Sequence, residues 1–253
     1  MTLIHAECPV CQKNTTNHFI EIFNVPIHCN RLWKSEAEAL KAPQGKIVLT
    51  YCKYCTHVFN SSFDPSLVDY SPGYENSLHF SPKFQKYAQY LGKRLVNDYN
   101  IFGKTVIEIG CGRGEFLSML CESGKNRGIG FDPSTTEDLK IISENNNCTI
   151  INDYYSTEYS WMNPSLVCCR HVLEHLENPT NFLKMLRCTL GENYNTVLYF
   201  EVPNAIFTLK NFSIWDIIYE HVNYFNVLSL RYLFEWLKFE IVNIELNFQN
   251  QFL

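Results

Sequence analysis

The stretch Thr105-Val-Ile-Glu-Ile-Gly-Cys-Gly-Arg-Gly-Glu-Phe-Leu117 constrains the fold of this chain more than any other. An apolar run that ends in an acid and opens into closely spaced glycines reads as a buried β-strand, a Gly-rich loop and the start of a helix. Glycines at 110, 112 and 114 can take positive φ and let the backbone approach a ligand with no Cβ in the way. Glu108 is expected at the carboxyl edge of a parallel sheet, where open α/β folds bind ligands. A second apolar segment, Gly128-Ile-Gly-Phe131, ends in Asp132, an acid placed to take the two hydroxyls of a ribose.

Two kinds of nucleoside cofactor use such a unit, and the glycine spacing separates them. The dinucleotide fingerprint G-x-G-x-x-G/A calls for a small residue at 115, where this chain carries Glu115, a charge unsuited to a pyrophosphate. An acid two residues before G-x-G-x-G, with a second acid after the next strand, instead resembles the class I S-adenosylmethionine (SAM) methyltransferases. That resemblance implies cofactor contacts from Glu108, Gly110, Cys111, Gly112, Gly114 and Asp132. Asp153, at the end of the following strand, is either the neighbour of the adenine amino group or a turn aspartate.

From Ser81-Pro82, an N-cap followed by proline at the first helical position, Phe84, Tyr87, Ala88, Leu91, Leu95, Val96 and Tyr99 recur at helical spacing. Strands are expected at 105–110, 127–131, 148–152, 165–169 and 195–201. Helices are expected over about 114–123, 135–146 and 179–190. This alternation predicts an α/β class I methyltransferase fold, Rossmann-like and doubly wound around a mainly parallel sheet. Leu228–Leu237 and Phe239–Leu246 read as the last helix and a sixth strand, with room for a short seventh strand from Phe248. The expected domains are a zinc-binding domain over 1–65, a linker and leading helix over 66–100, and a SAM-dependent methyltransferase domain over 101–253.

The small first domain is inferred from cysteines. Cys8-Pro-Val-Cys11 and Cys52-Lys-Tyr-Cys55 are paired C-x-x-C knuckles, and four thiolates make a closed tetrahedral site for structural zinc. The chain has eleven cysteines, and an odd count without an export-type leader points away from a disulfide framework. Cys29, Cys111, Cys121, Cys148, Cys168, Cys169 and Cys188 do not repeat the spacing and are expected as small core residues. The Met-Thr-Leu-Ile-His start lacks basic and apolar regions of a leader, and no apolar run reaches spanning length. A cytoplasmic location without membrane contact follows as an expectation, and a formal net charge of −5 argues against nucleic acid as partner.

Two segments carry candidate chemistry. Arg170-His-Val-Leu-Glu-His-Leu-Glu-Asn-Pro179 follows the fourth parallel strand. Its Arg170 and His171 are expected to support the methionine end of SAM, with His171 and His175 sharing a helix face. Trp215-Asp-Ile-Ile-Tyr-Glu-His-Val-Asn-Tyr-Phe225 places Glu220 beside His221 between Tyr219 and Tyr224. Histidine is the side chain best suited to take a proton near neutral pH. Tyr74, in the aromatic linker, is a further candidate for the substrate side, with plain packing the alternative.

The cysteine knuckles, the Glu108–Gly114 motif and the Glu-His-x-x-Tyr-Phe segment at 220–225 occur in the order found in zinc-containing sugar C-methyltransferases, which the chain resembles over nearly its whole length. The resemblance implies structural zinc at Cys8, Cys11, Cys52 and Cys55, SAM as methyl donor, and an NDP-4-keto-deoxysugar as substrate. It also implies His221 as base with Glu220 beside it; on the leading reading Glu220 orients the ring, and Tyr224 or Tyr74 stabilises the enolate. Two departures stand out. The family's tyrosine three residues before the histidine is Ile218 here, with Tyr219 one place later. The family's C-terminal α/β domain has no counterpart before Leu253, so an intact SAM site and an incomplete substrate site are expected. O- or N-methylation of another small metabolite, and a SAM-binding module without catalysis, are the competing readings.

Overall fold

The computed structural model describes residues 6–29, 31–68, 80–135, 139–143 and 146–253. In chain order, the first elements are β1 (Thr16–Pro26), α1 (Glu36–Ala39), β2 (Gln44–Cys52), β3 (Val58–Asn60) and α2 (Pro82–Asp98). They are followed by β4 (Thr105–Ile109), α3 (Glu115–Gly124), β5 (Arg127–Phe131), β6 (Leu139–Ser143), β7 (Asn146–Ile151) and β8 (Leu166–Arg170). The chain continues through α4 (Pro179–Leu190), β9 (Val197–Glu201), α5 (Ala205–Lys210), β10 (Asn223–Tyr224) and α6 (Val227–Trp236). These elements belong to two compact units: Met1–Asp69 with Leu173–Lys184 and Val202–Leu253, and Tyr70–Val172 with Met185–Glu201.

The second unit is built on a sheet of order β6-β7-β5-β4-β8-β9. From β7 to β9 all pairings are parallel, and only the β6 edge runs antiparallel. The central strands are apolar runs because they are covered on both faces; Val106, Ile107, Leu166 and Val167 are fully buried. In register, Ile109 lies opposite Phe131 on one side and Cys169 on the other, so the carboxyl ends of β5, β4 and β8 are level. The Ser81 hydroxyl caps α2 by accepting from the Phe84 N–H at 3.4 Å, as the Ser-Pro pair predicts. This is the α/β, class I methyltransferase architecture.

The first unit holds a four-stranded antiparallel sheet of order β1-β2-β3-β10. Along β1, half-buried and exposed positions mostly alternate, the pattern of a strand with one solvated face. Ile27, Ile47, Leu49, Val58, Ala205, Tyr219 and Tyr224 form its core.

Three expectations are corrected. Within the expected helix over 135–146, Leu139–Ser143 form β6, antiparallel to β7, and the β-branched Ile141-Ile142 pair suits a strand better than a helix. Residues 239–246 contain no strand. The following segment makes only isolated bridges, Pro203 with Phe252 and Asn247 with Phe252, because proline has no N–H with which to extend a ladder. Among the remaining cysteines, Cys29 and Cys188 are exposed rather than in the core. No helix among the described residues is long and apolar enough to cross a membrane.

Candidate functional sites: a nucleoside cradle, a thiolate cluster and a histidine pair

The loop after β4 turns through left-handed backbone at Gly110 (φ 69°), Gly112 (φ 53°) and Gly114 (φ 77°), the last capping α3. At Gly110 a Cβ would lie 2.2 Å from Val172 Cγ2, so the loop closes there against the segment that follows β8. At Gly112 a Cβ would meet nothing within 4 Å. This is the open cradle a ligand would fill. The Gly112 N–H donates to Asp132 Oδ2 at 2.7 Å, and Oδ1 accepts from the Ser134 N–H and hydroxyl at 2.9 and 2.6 Å. Asp132 is therefore fixed at the cradle rim before any ribose arrives.

Glu108 is 3% exposed, and its Oε2 has no hydrogen-bond partner. Burial pushes its carboxyl up to about 8, against the pull of the Arg170 guanidinium. A buried acid facing a cradle in this state suits a cationic group such as the amino end of SAM. Cys111 is buried in the loop, and burial pushes its thiol up. Asp153 accepts from the Tyr154 N–H at 2.7 Å and from the Tyr159 hydroxyl at 2.6 Å. Tyr159 and Tyr155 pack on Phe131 with centroids 4.6 and 5.0 Å away. Sequence reasoning passed over this aromatic patch, although two tyrosines soon after Asp153 were its signal. The residues present thus fit SAM, with Glu108, the 110–114 loop and Asp132 as the groups that would hold it.

Arg170 is the centre of a buried ion pair. Directly opposite Glu201 in the β8–β9 register, it donates Nε and Nη2 to Oε1 at 3.0 and 2.8 Å. Its guanidinium lies over the Phe116 and Phe84 rings at 4.1 and 5.6 Å. Glu201 Oε2 accepts from Tyr199 at 3.0 Å and from the Tyr87 hydroxyl, and His171 Nε2 lies 3.1 Å from Oε1. Burial pushes the Glu201 carboxyl up, but Arg170 and His171 outweigh it and hold the carboxyl well below the usual range. The sequence signal for this hub, an apolar strand ending in an acid as β4 does, was there to be read. His171 takes φ 54°, so no helix carries His171 and His175 on one face. A 3-10 turn, Leu173–His175, stands in its place.

In the first unit the knuckles meet. Cys8 Sγ is 3.6 Å from Cys55 Sγ and Cys11 Sγ is 3.5 Å from Cys52 Sγ, with all four sulfurs within 4.8 Å of one another. The residue after each knuckle, Gln12 and Thr56, is left-handed at φ 59° and 63°, so both knuckles turn alike. All four cysteines are buried. The donor set and spacing fit zinc, which would be held by four thiolates. One zinc per chain is expected by elemental analysis, and Cys8→Ser or Cys55→Ser should each lose it and destabilise this unit, since metal binding in small domains is coupled to folding. Zinc retained after both substitutions would remove the four-cysteine assignment.

The same unit gathers the histidine segment. His221 is half-buried, and its Nδ1 donates to the Asp216 carbonyl at 2.8 Å, the contact that orients the ring. The Glu220 carboxylate is fully buried, 3.7 Å from His28 Nδ1. His175 lies beside His221, with ring centroids 4.8 Å apart and edge-to-face, and its Nδ1 donates to the Glu220 carbonyl at 3.0 Å. Tyr224 packs 6.4 Å from His221. It is buried, its hydroxyl is 3.5 Å from the Ile218 carbonyl, and burial pushes its phenol up. Tyr219 is a core residue whose hydroxyl accepts from the Asp64 N–H at 2.9 Å. Tyr74 lies outside the described residues.

Strand order and cradle define the class I methyltransferases, a class of SAM-dependent enzymes. Residues 80–244 match the family model of the methyltransferase domain, which spans more than half of the chain, and the chain belongs to that family of enzymes. No curated protein matches it. Among solved structures it is similar to magnesium protoporphyrin IX methyltransferase from Synechocystis PCC 6803 with bound S-adenosylhomocysteine (SAH), at 15% identity and a TM-score of 0.47, over 67% of this chain and 81% of that one. It is also similar to the plantazolicin methyltransferase in complex with SAH, at 15% identity and a TM-score of 0.45, over 62% of this chain and 63% of that one. A SAM-dependent methyltransferase from Archaeoglobus fulgidus gives 23% identity and a TM-score of 0.39, over 65% of this chain and 75% of that one. The chain thus spans less than two thirds of the plantazolicin enzyme's length.

Proposed function

We propose that the protein methylates carbon beside the ketone of an NDP-keto-deoxysugar, with His221 as general base. SAM supplies an electrophilic methyl group carried on a sulfonium. Glu108, the 110–114 loop and Asp132 would hold it. On the substrate, His221 would take the proton as the C–H bond next to the carbonyl breaks, leaving an enolate; bound SAM would supply the methyl that the enolate's electron pair takes, the C–S pair staying on sulfur as S-adenosylhomocysteine leaves. One observation makes His221 competent as the base, a state His175 shares through its contact with the Glu220 carbonyl. A carbonyl oxygen can only accept, so the Asp216 contact makes Nδ1 of His221 the N–H donor and leaves the lone pair on Nε2. Structural zinc at Cys8, Cys11, Cys52 and Cys55 belongs to the same reading.

A second reading, O- or N-methylation of another small metabolite, has its own support. Tyr224 turns its hydroxyl toward the Ile218 carbonyl, and neither of these transfers needs a phenol to stabilise an enolate. Incubation with labelled SAM and a panel of NDP-keto-sugars, with the new methyl located by NMR, separates the two. A methyl on carbon supports the proposal; a methyl on oxygen or nitrogen, or none with any keto-sugar, overturns it.

A further inference from the structure

We infer that Glu174, His175 and His221 form a second metal site in the first unit, for a divalent transition ion of the zinc or cobalt class. One ligand atom of each residue lies within 4.8 Å of the others. Tetrahedral donors about 2.1 Å from one ion stand about 3.4 Å apart, so the side chains need to close by at most about 1.4 Å from the 4.8 Å that bounds them. Two imidazoles and a carboxylate are a donor set that zinc and iron sites use, with positions left over for water or substrate.

The imidazoles are prepared for this role. Each directs Nδ1 at a backbone carbonyl, His175 at Glu220 and His221 at Asp216. That outer contact is what metal-ligating histidines make: it fixes the tautomer, aims the ring and leaves the Nε2 lone pair to ligate. Glu174 is 1% exposed, and acids so deeply buried are paired or coordinate cations.

The backbone carrying the three residues is clamped as well. The Val222 N–H donates to the Glu174 carbonyl at 2.8 Å. Asn223 Nδ2 donates to the Leu176 and Leu173 carbonyls at 2.6 and 3.3 Å, while its Oδ1 accepts from His57 Nε2 at 3.0 Å. The turn that bears Glu174 and His175 is thereby tied to the strand that follows His221, and a site on such a frame loses little freedom when an ion arrives. Nitrogen and oxygen donors also separate this site from the thiolate cluster in metal preference.

Binding stands independently of the substrate reading. If that reading holds, the ion and the abstracted proton compete for Nε2 of His221, and occupancy silences the base.

The test titrates Co2+ into full-length protein whose cysteine site already holds one equivalent of zinc. A further equivalent should bind, with visible d–d absorption and no thiolate-to-cobalt charge-transfer band. Two paramagnetically shifted, exchangeable imidazole N–H resonances should appear in the unmodified chain. His175→Gln and His221→Gln should each weaken binding by more than the ~10–100-fold lost on removing outer contacts to ligands, with unfolding temperature followed for both. No further equivalent, no pair of shifted resonances, or undiminished binding in folded His175→Gln and His221→Gln overturns the site.

Discussion

Glu201→Leu is expected to destabilise the sheet-based unit by about 3–5 kcal/mol, because it strands a buried Arg170 without its counter-charge. Arg170 is 7% exposed and Glu201 fully buried. The substitution removes both guanidinium hydrogen bonds and the acceptor of Tyr87 and Tyr199. Glu108 also acts on Arg170 and should moderate the loss. Replacing the pair together, as Arg170→Met with Glu201→Leu, should recover much of it, since removing both charges abolishes the unpaired burial. The pH dependence has a definite sign. The Glu201 carboxyl is held below its unfolded value, so its contribution is fully present above the unfolded carboxylate pKa of about 4.3 and is lost as pH falls through the folded value. Denaturant unfolding at several pH values checks both points. A neutral-pH loss under about 1 kcal/mol, far below that expected of a broken buried pair, or a gap that does not narrow in acid, would remove Glu201 as the hub.

The parts legible in the sequence are those whose signal is local. β4, β5 and β8 are short apolar runs with a Gly-rich turn or an acid at the end, and paired C-x-x-C spacing named the four cysteines that meet. The misread parts depend on what they pair or pack with and not on a pattern of their own. β10 is two residues long and pairs with Val58 and Phe59, so no periodicity marks it. β6 exists only through β7, and its isoleucines suit a helix period until that pairing is known. Tyr219 looked like a phenol flanking His221, yet its ring fills the sheet core. The atom that orients His221 is the Asp216 carbonyl, a backbone group that no residue type announces.

His221→Ala is expected to lower turnover by about 10²–10⁴-fold, the usual contribution of a general base, while SAM affinity stays near its starting value. The separation follows from the proposed division of labour, in which the imidazole acts on substrate and the cradle after β4 holds the cofactor. Because Asp216 orients the ring through a backbone carbonyl, Asp216→Asn should leave that contact in place and cost little. Glu220→Gln acts differently, since the carboxylate is buried beside His28, and its effect should fall on stability before turnover. The deprotonation can be isolated by following exchange of the sugar's α-proton with deuterated solvent, without SAM and without added divalent ion. Exchange should be abolished in His221→Ala and kept in Asp216→Asn. Exchange that persists in His221→Ala assigns the proton to another group, and the base reading of this segment falls with it.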